Sequence, residues 1–212
     1  MVQIDDAGSG SLVGETCIGI YFDKTNSFKF NFIPLEFYTP ENFKKKLYQE
    51  YVIEIVKKEF SELNISKDEP IEVCQGYIFD ALRGYFVEHH YNCKNTKIQG
   101  LLQEKVEKTF SDYAVSLGLP QSYITYTKFP FHFHKLLRWV YADFENRKQL
   151  CKTGWKSWQR YSNLSVSTEY GFLNEQSFFC LKCGNKIPPY SPVKILKFFS
   201  NRVNIIYLHR EC

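Results

Sequence analysis

Three short segments near the beginning of the chain have the patterns of strands, and hydrophobic and polar residues alternate in two of them. "MVQID" sets Val2 and Ile4 against Gln3 and Asp5, "TCIGIYFD" is mostly apolar, and "SFKFNFIP" alternates aromatic with polar positions after the turn "DKTN". A period of two residues is typical of strands that bury one face. These segments predict three antiparallel β-strands.

Beyond residue 38 the period of the apolar positions lengthens to about 3.6 residues in several segments, which predicts amphipathic helices. Thr39 and Pro40 form a cap and first turn for the first of these helices. The predicted helices are "TPENFKKKLYQEYVIEIVKKEFSEL", "YIFDALRGYFVEHHY", "LLQEKVEKTFSDYAVSLG" and "HFHKLLRWVYADFENRKQL", and the predicted strands between them are "PIEVCQG" and "SYITYT". Three antiparallel strands followed by alternating helices and strands indicate an α/β fold with a mixed sheet covered by helices.

The segment "SNLSVSTEYGFLNEQS" is polar and rich in serine, which favours a linker. The sequence therefore predicts an α/β domain over residues 1–160, a linker over 161–176 and a small separate module over 177–212.

The predicted module contains two pairs of metal-ligand residues, in the pattern C-x2-C, 25 intervening residues, then H-x2-C. The four residues are Cys180, Cys183, His209 and Cys212. Each pair is spaced to hold one side of a tetrahedral ion, and four ligands leave no open position, so we expect a structural Zn²⁺. Between the pairs, "VKILKFF" and "VNIIYLH" flank Ser200 and predict a hairpin. The pattern resembles the treble-clef zinc fingers; the alternative is four buried side chains with no metal.

The composition favours a globular protein: 44% of the residues are hydrophobic, and no uncharged apolar run reaches the ~18 residues that a membrane helix needs. No secretion signal precedes the first strand. Seven cysteines, an odd number, argue against a disulfide framework. We therefore expect a soluble, cytoplasmic protein that has no membrane partner.

Positive charge is concentrated late in the chain. Residues 180–212 carry six lysines and arginines against one glutamate, whereas the whole chain has a formal net charge of +4. The stretch "NRKQLCKTGWKSWQR" adds cations interleaved with tryptophans, namely Arg147, Lys148, Lys152, Trp155, Lys156, Trp158 and Arg160. Cations meet phosphates and aromatic rings stack on bases, so these residues predict a nucleic-acid surface. The alternative is a solvated basic face whose tryptophans pack into the core.

The first strand runs into two adjacent carboxylates and three glycines, "IDDAGSGSLVG". Asp5 and Asp6 at a strand end can hold a divalent cation, and glycines let a backbone approach closely. This segment resembles the "IDEAGRGxxxG" opening of the type-2 ribonucleases H, within the ribonuclease H-like superfamily. The resemblance is close over about eleven residues and topological over about the first 160.

The resemblance implies a catalytic pair of Mg²⁺ or Mn²⁺ ions bound by carboxylates from the first strand, a central strand and a late helix. Asp5 and Asp6 match the acidic pair. In the central strand Gln75 stands where an acid is expected, which leaves Asp80 as the nearest substitute, and the late-helix acid is Asp143 or Glu145. Ser9 replaces the family's arginine, so nothing here indicates cleavage at ribonucleotides.

The sequence therefore favours a divalent-metal-dependent nuclease or a related phosphodiester-processing enzyme. The main alternative is a catalytically inactive ribonuclease H-like protein that binds nucleic acid or another partner and keeps the zinc finger. Asp5 and Asp6 could also merely cap the glycine turn. A phosphate loop resembling that of the actin-like sugar kinases is a further reading, but the second phosphate loop that those kinases need is missing.

Overall fold

The computed structural model describes all residues, Met1–Cys212, which form two compact units. The first unit consists of Met1–Ser9, Gly14–Tyr113 and Lys152–Trp155. The second consists of Gly10–Val13, Ala114–Cys151 and Lys156–Cys212. Each unit therefore combines segments that are distant in the sequence, and neither follows the predicted boundary at residue 160.

A five-stranded mixed sheet is the centre of the first unit. Its strands are β1 Val2–Ala7, β2 Thr16–Phe22, β3 Ser27–Ile33, β4 Ile71–Cys74 and β5 Cys93–Thr96. Their order is β3-β2-β1-β4-β5, with β1, β2 and β3 antiparallel and both β4 and β5 parallel to β1 and to each other. The three antiparallel strands and the mixed sheet are confirmed, and β1 lies at its middle.

The helices are distributed along the chain as α1 Pro40–Lys44, α2 Leu47–Glu62, α3 Asp80–Glu88, α4 Leu101–Ser116, α5 Gln121–Tyr126, α6 Phe133–Ala142, α7 Phe144–Arg147 and α8 Lys156–Tyr161. Single 3-10 turns occupy Asp23–Thr25, Leu35–Tyr38, Tyr77–Phe79 and Lys148–Leu150. None of these helices combines the length and the apolar composition that crossing a lipid bilayer requires.

The core of the first unit joins one face of the sheet to α2 and α3. Val2 and Ile4 of β1 are fully buried there, together with Val52 of α2 and Phe86 of α3. Because side chains alternate along a strand, Asp6 follows Val2 and Ile4 on this face, whereas Asp5 belongs to the other face. The apolar pattern of β1 thus places one carboxylate of the pair on each side of the sheet, at its carboxyl end.

The long helix predicted from Thr39 onward is interrupted. Lys46 has a left-handed backbone, with φ of 58°, and separates α1 from α2. The rings of Phe43 and Tyr48 stack on either side of the break, 5.2 Å apart, and Tyr48 also stacks on Tyr38. We attribute the break between α1 and α2 to this aromatic packing. The 3.6-residue period of apolar positions continues across it and did not predict it.

The prediction of a strand at "SYITYT" was wrong, because Gln121–Tyr126 form the short helix α5. Alternating aromatic and β-branched residues favour a strand only where a neighbouring strand can pair with them. Here the Tyr123 hydroxyl instead donates to the Lys135 carbonyl at 2.7 Å. A tertiary contact therefore overrides the local propensity.

The second unit contains two small antiparallel sheets. Their strands are β6 Ser167–Phe172, β7 Phe178–Phe179, β8 Lys186–Ile187, β9 Pro192–Phe199 and β10 Val203–His209. The sheets have the orders β10-β9-β6 and β7-β8, and β9 with β10 is the predicted hairpin. The segment interpreted as a linker contains β6, whose residues are nearly all exposed. With no buried face it shows no apolar alternation, and only its pairing with β9 defines it as a strand.

The glycine turn after β1 gives a direct test of the packing in the first unit. Gly8 has φ of 86°, and a Cβ there would lie 2.2 Å from the buried ring of Phe110. We expect Gly8→Ala to lower the free energy of unfolding by roughly 2 kcal/mol, since both the backbone and the ring must move. Gly10→Ala is the matched control: its Cβ would meet nothing, and we expect a change within about 0.5 kcal/mol. Urea denaturation measures both, and equal losses would contradict the described turn.

Candidate functional site

The second unit brings the four predicted metal-ligand residues together. One ligand atom from each of Cys180, Cys183, His209 and Cys212 lies within 4.8 Å of all the others. Nδ1 of His209 is 3.3 Å from Sγ of Cys183 and 4.0 Å from Sγ of Cys212. Three sulfur donors and one imidazole are the donor set of a closed tetrahedral site, so this cluster can bind a metal ion.

The backbone around the first cysteine pair holds a tight turn. β7 and β8 pair on either side of it, the Gly184 amide donates to the Cys180 carbonyl at 2.8 Å, and the Cys180 amide donates to Asn185 at 2.9 Å. Gly184 adopts φ of 80°, which favours glycine. The turn therefore presents both thiols on the same side.

His209 is oriented by a second contact. It is the last residue of β10, and its Nε2 lies 3.3 Å from the Lys186 carbonyl. A ring N–H directed at a carbonyl leaves the opposite nitrogen for the metal, which is the usual outer-shell arrangement of a ligating histidine. Nδ1 of His209 is accordingly the ligand atom that faces the thiols.

Arg147, predicted to contact nucleic acid, is instead buried in the second unit. Its guanidinium donates to the carbonyls of Leu181 and Lys182, between the first two cysteines, at 2.8 and 2.9 Å. It also donates to the Trp139 carbonyl and lies over the Trp139 ring, 3.9 Å from its centroid. Burial lowers the pKa of Arg147 to about 10. Its role is to fasten the cysteine turn to α6, and nothing in the basic stretch distinguishes it from its exposed neighbours.

The first unit contains the acidic pair. Carboxylate oxygens of Asp5 and Asp6 lie within 4.8 Å of each other and of the Cys74 sulfur, where β1 and β4 end side by side. Asp5 is 6% exposed and Asp6 is partly buried. The loop after β4 approaches closely, since a Cβ on Gly76 would lie 3.3 Å from Oδ1 of Asp6. The two predicted carboxylates therefore converge at one edge of the central strands.

Burial dominates the electrostatics of the pair. It raises the pKa of Asp6 to about 6, and repulsion from Asp5 adds to this, while hydrogen bonds from the Ser9 hydroxyl and amide and the charge of Lys152 oppose it. Burial likewise raises the pKa of Asp5, opposed by hydrogen bonds from the Cys74 thiol and the Asp6 amide. Two partly desolvated carboxylates this close are held against their mutual repulsion.

Cys74 completes the cluster as a thiol. Burial and then the neighbouring Asp5 raise its pKa to about 11, so it remains protonated at neutral pH and donates to the Asp5 carboxylate. A neutral thiol is a poor ligand for a hard cation. The oxygens of Asp5 and Asp6 are therefore the ligand atoms that this edge offers to Mg²⁺ or Mn²⁺.

Lys152, also predicted to contact nucleic acid, is fully buried in the first unit. Its Nζ donates to the Gly8 carbonyl at 2.5 Å and to Oγ1 of Thr16 at 2.9 Å, and lies 4.7 Å from the centroid of the Tyr38 ring. Burial lowers its pKa to about 7, while Asp6 and then Glu15 oppose this. The ammonium group thus holds the backbone of the glycine turn that follows the acidic pair.

The other carboxylates that the resemblance pointed to lie elsewhere. Asp80 begins α3, is exposed and forms an ion pair with Arg83. Asp143 and Glu145 belong to the second unit: Asp143 precedes α7 and accepts from Asn146, and Glu145 is paired with Lys148. Asp80 does not join the cluster, whose third member is Cys74.

An acid that the sequence analysis did not single out is Glu107, on α4. Glu107 is the one carboxylate outside the pair whose charge acts on it. It raises the pKa of Asp5, by a smaller amount than burial does. No sequence signal singles out Glu107, which is exposed one position beyond the buried Val106 of a periodic helix. Only the packing of α4 shows that it faces the same side of the sheet as Asp5.

The remaining residues of the predicted nucleic-acid surface are divided between burial and exposure. Trp158 is buried and stacks on Phe144 at 6.3 Å, which is the packing role left open above. Trp155 is partly exposed, and Lys148, Lys156 and Arg160 are exposed. Because Lys148 is paired with Glu145, Lys156 and Arg160 are the two exposed cations of this stretch that form no ion pair.

Neither the models of known protein families nor the curated protein sequences include one that matches this chain.

The raised pKa of Asp6 predicts how stability depends on pH. The native state holds a proton on Asp6 up to about pH 6, whereas the unfolded chain releases it near pH 3.8, so this group makes the protein more stable as pH falls from 6 to 4. Asp6→Asn should remove that contribution and, at pH 7.5, raise the free energy of unfolding by on the order of 1 kcal/mol.

Urea denaturation between pH 4 and 7.5, without added divalent cation, measures the difference. Asp68→Asn, at an exposed carboxylate, is the matched control and should leave the pH dependence unchanged. A pH dependence shared by all three proteins would show that Asp6 is not strained in the native state.

Proposed function

We propose that this protein binds a divalent cation at Asp5 and Asp6 and is a metal-dependent, phosphodiester-processing enzyme that acts on nucleic acid. The observation that carries the proposal is the convergence of two desolvated carboxylates within 4.8 Å, at the end of the central strand. Without a cation their repulsion and burial are unfavourable, and a divalent ion relieves both.

The donor set fits Mg²⁺ or Mn²⁺. Mg²⁺ keeps several waters and is commonly bound by one or two protein carboxylates together with substrate phosphates. Asp5 and Asp6 supply that number of oxygens, while the Cys74 thiol stays protonated. A cation held there supplies Lewis-acid activation of a phosphodiester and of water.

The chain's own residues support this chemistry in distinct ways. Gly76 leaves room beside Asp6, and Lys152 keeps the glycine turn in place through the Gly8 carbonyl. Glu107 on α4 acts on Asp5 electrostatically and raises its pKa. The contact of Lys152 holds the turn beside the carboxylates in the absence of any ligand.

The ribonuclease H-like fold is part of this proposal. It is supported by the resemblance of "IDDAGSGSLVG" and by an element order of three antiparallel strands followed by alternating helices and strands. It is also supported by the place of β1 between β2 and β4, because that place puts the acidic pair at the carboxyl end of parallel neighbours, where α/β folds build their sites.

A simple turn-capping role accounts for only one of the two acids. Asp6 accepts hydrogen bonds from the hydroxyl and amide of Ser9, as a capping aspartate does. Asp5 makes no such contact with the turn, and its partners are the Cys74 thiol and the Asp6 amide. The cap therefore leaves Asp5 unexplained.

A second candidate is a catalytically inactive ribonuclease H-like protein that binds nucleic acid. The observation that favours it is the edge of β4, where Cys74 and the exposed Gln75 stand in place of a carboxylate. Removing one acid from such a site weakens metal binding and leaves the fold intact. The two candidates differ in whether cleavage accompanies cation binding.

For the cluster in the second unit we propose a structural zinc ion. Three cysteines and one histidine fill a tetrahedral shell, which leaves no position for substrate. The outer contacts of Lys186 and Arg147 hold this arrangement in place. Zinc binding then contributes directly to the folding free energy of β7 to β10, as in other small zinc modules.

The acidic pair is tested by Asp5→Asn, which keeps the shape of the side chain and removes its charge. We expect Mg²⁺ or Mn²⁺ to raise the melting temperature of the parent and to support cleavage of labelled oligonucleotides. The variant should lose both responses, with cleavage falling by orders of magnitude, while its folding is unharmed. The control is Asp68→Asn, which should respond as the parent does.

The outcomes separate the candidates. A cation response in the parent that is lost in Asp5→Asn, without cleavage by either protein, would select the inactive binding protein. Identical cation responses in the parent and the variant would overturn the proposed cation site and leave Asp5 with a structural role.

For zinc we expect one tightly bound ion per chain in protein purified without added metal. Cys180→Ser combined with Cys183→Ser should abolish it and destabilise the second unit, whereas Cys93→Ser, outside the cluster, should retain it. Elemental analysis with hydrogen exchange checks both. Absence of zinc with residues 177–212 still protected would refute the assignment.

A further inference from the structure

A cationic pocket of about 290 Å³ lies within the second unit, apart from the zinc ligands. It is formed by the segment that joins α5 to α6, by the first turn of α6 and by the turn between β9 and β10. The lining residues are Lys128, Phe129, His132, His134, Lys135, Asn201 and Arg202. The lining therefore contains three permanent cations and two histidines but no carboxylate.

The positive charges of this pocket are not neutralised by the protein. Neither Lys128, Lys135 nor Arg202 forms an ion pair, although thirteen other ion pairs occur in the chain. Like charges gathered in one concavity repel each other and attract an anion. The pocket thus presents uncompensated positive charge to which a phosphate can bind.

The framework of the pocket is held by hydrogen bonds. Ser200 accepts from the side chain of Asn204 at 3.0 Å, and Asn204 also donates to the Arg202 carbonyl at 2.9 Å. Nδ1 of His134 lies 3.2 Å from the Ser200 hydroxyl, which leaves its Nε2 for an external partner. The turn that carries Arg202 and the beginning of α6 are therefore joined before any ligand arrives.

An exposed aromatic ring stands at the pocket. Phe129 is 70% exposed and has a left-handed backbone, with φ of 55°, which is unfavourable for a bulky residue. Lys128 Nζ lies 5.3 Å from the centroid of its ring. A left-handed backbone at a bulky residue is uncommon and often marks a functional position, and here it holds the ring beside a cation.

We propose that this pocket binds the phosphate backbone of a single-stranded nucleic acid, with Phe129 stacking on an adjacent base. Lysine and arginine contact phosphate oxygens, and a base offers the ring a flat π-face, so the combination matches how sequence-independent single-strand binding works. A single strand is favoured over a duplex, because the bases of a duplex are not free to stack on a protein ring. The proposal does not depend on the catalytic activity proposed for Asp5 and Asp6.

The test compares two variants that each remove two positive charges from the second unit. Lys135→Gln with Arg202→Gln neutralises the pocket, and Lys156→Gln with Arg160→Gln neutralises two exposed cations of α8 outside it. Binding of a fluorescent 12-nucleotide single strand is measured by anisotropy, without added divalent cation, from 50 to 300 mM salt. Zinc content and circular dichroism confirm that each variant is folded.

We expect the pocket variant to bind at least roughly tenfold more weakly at 100 mM salt and to show a slope against log salt that is smaller by about one, since it makes fewer phosphate contacts. The α8 variant should stay within about twofold of the parent. Phe129→Ala should weaken binding of the single strand with an unchanged salt slope, because stacking releases no counterions. The assay contains no divalent cation, so its result is separate from cation binding at the acidic pair, and Asp68→Asn, at an exposed carboxylate outside both sites, should bind as the parent does.

Three outcomes would overturn the proposal. Equal losses in the two charge variants would show a general effect of net charge. Unaltered binding by the pocket variant would place the nucleic-acid surface elsewhere. Finally, phosphatidylserine vesicles bound through Lys135 and Arg202, with no measurable affinity for the oligonucleotide, would identify a lipid surface as the partner.

Discussion

The burial of the Lys152 ammonium group is the interaction on which the first unit depends. Lys152 enters this unit from far along the chain, and its Nζ reaches the Gly8 carbonyl and Oγ1 of Thr16. A buried amine needs such partners, because its desolvation is otherwise costly. The Tyr38 hydroxyl donates to the same Thr16 oxygen at 2.7 Å and extends the network into the core. The turn beside Asp6 is therefore held from beneath by one buried cation.

At the end of β1, neighbouring charges have opposite effects on the pKa of Asp6. Lys152 favours an ionised Asp6, whereas burial and Asp5 favour a protonated one, so the pair lies close to the point at which its charge changes. Such a balance is common where an ion or a reacting group must be accommodated. The second unit also contains a buried cation that binds backbone carbonyls, since the guanidinium of Arg147 donates to two carbonyls of the cysteine turn. In both units a buried cation organises backbone next to a ligand cluster.

The sequence by itself determined the features that depend on local pattern and spacing. Alternation in β1, β3 and around Ser200, and the 3.6-residue period of α2 and α4, predicted these elements, because one buried face imposes a period. The two ligand pairs from Cys180 to Cys212 were recognisable, since tetrahedral coordination restricts their spacing. The position of Asp5 and Asp6 at a strand end was also recognisable. Each of these depends on residues that are neighbours in the sequence or in a repeating pattern.

Only the tertiary structure decided which charged residues are buried and which strands form without a pattern. Arg147 and Lys152 have the composition of a surface stretch, yet carbonyls supplied by distant segments make their burial possible. The exposed strand β6 exists through its pairing with β9, and the α5 segment became helical through contacts outside itself. Glu107 and Cys74 came near Asp5 because α4 and β4 pack beside β1. Contacts between residues remote in sequence leave no periodic trace, so the chain had to fold before they could be recognised.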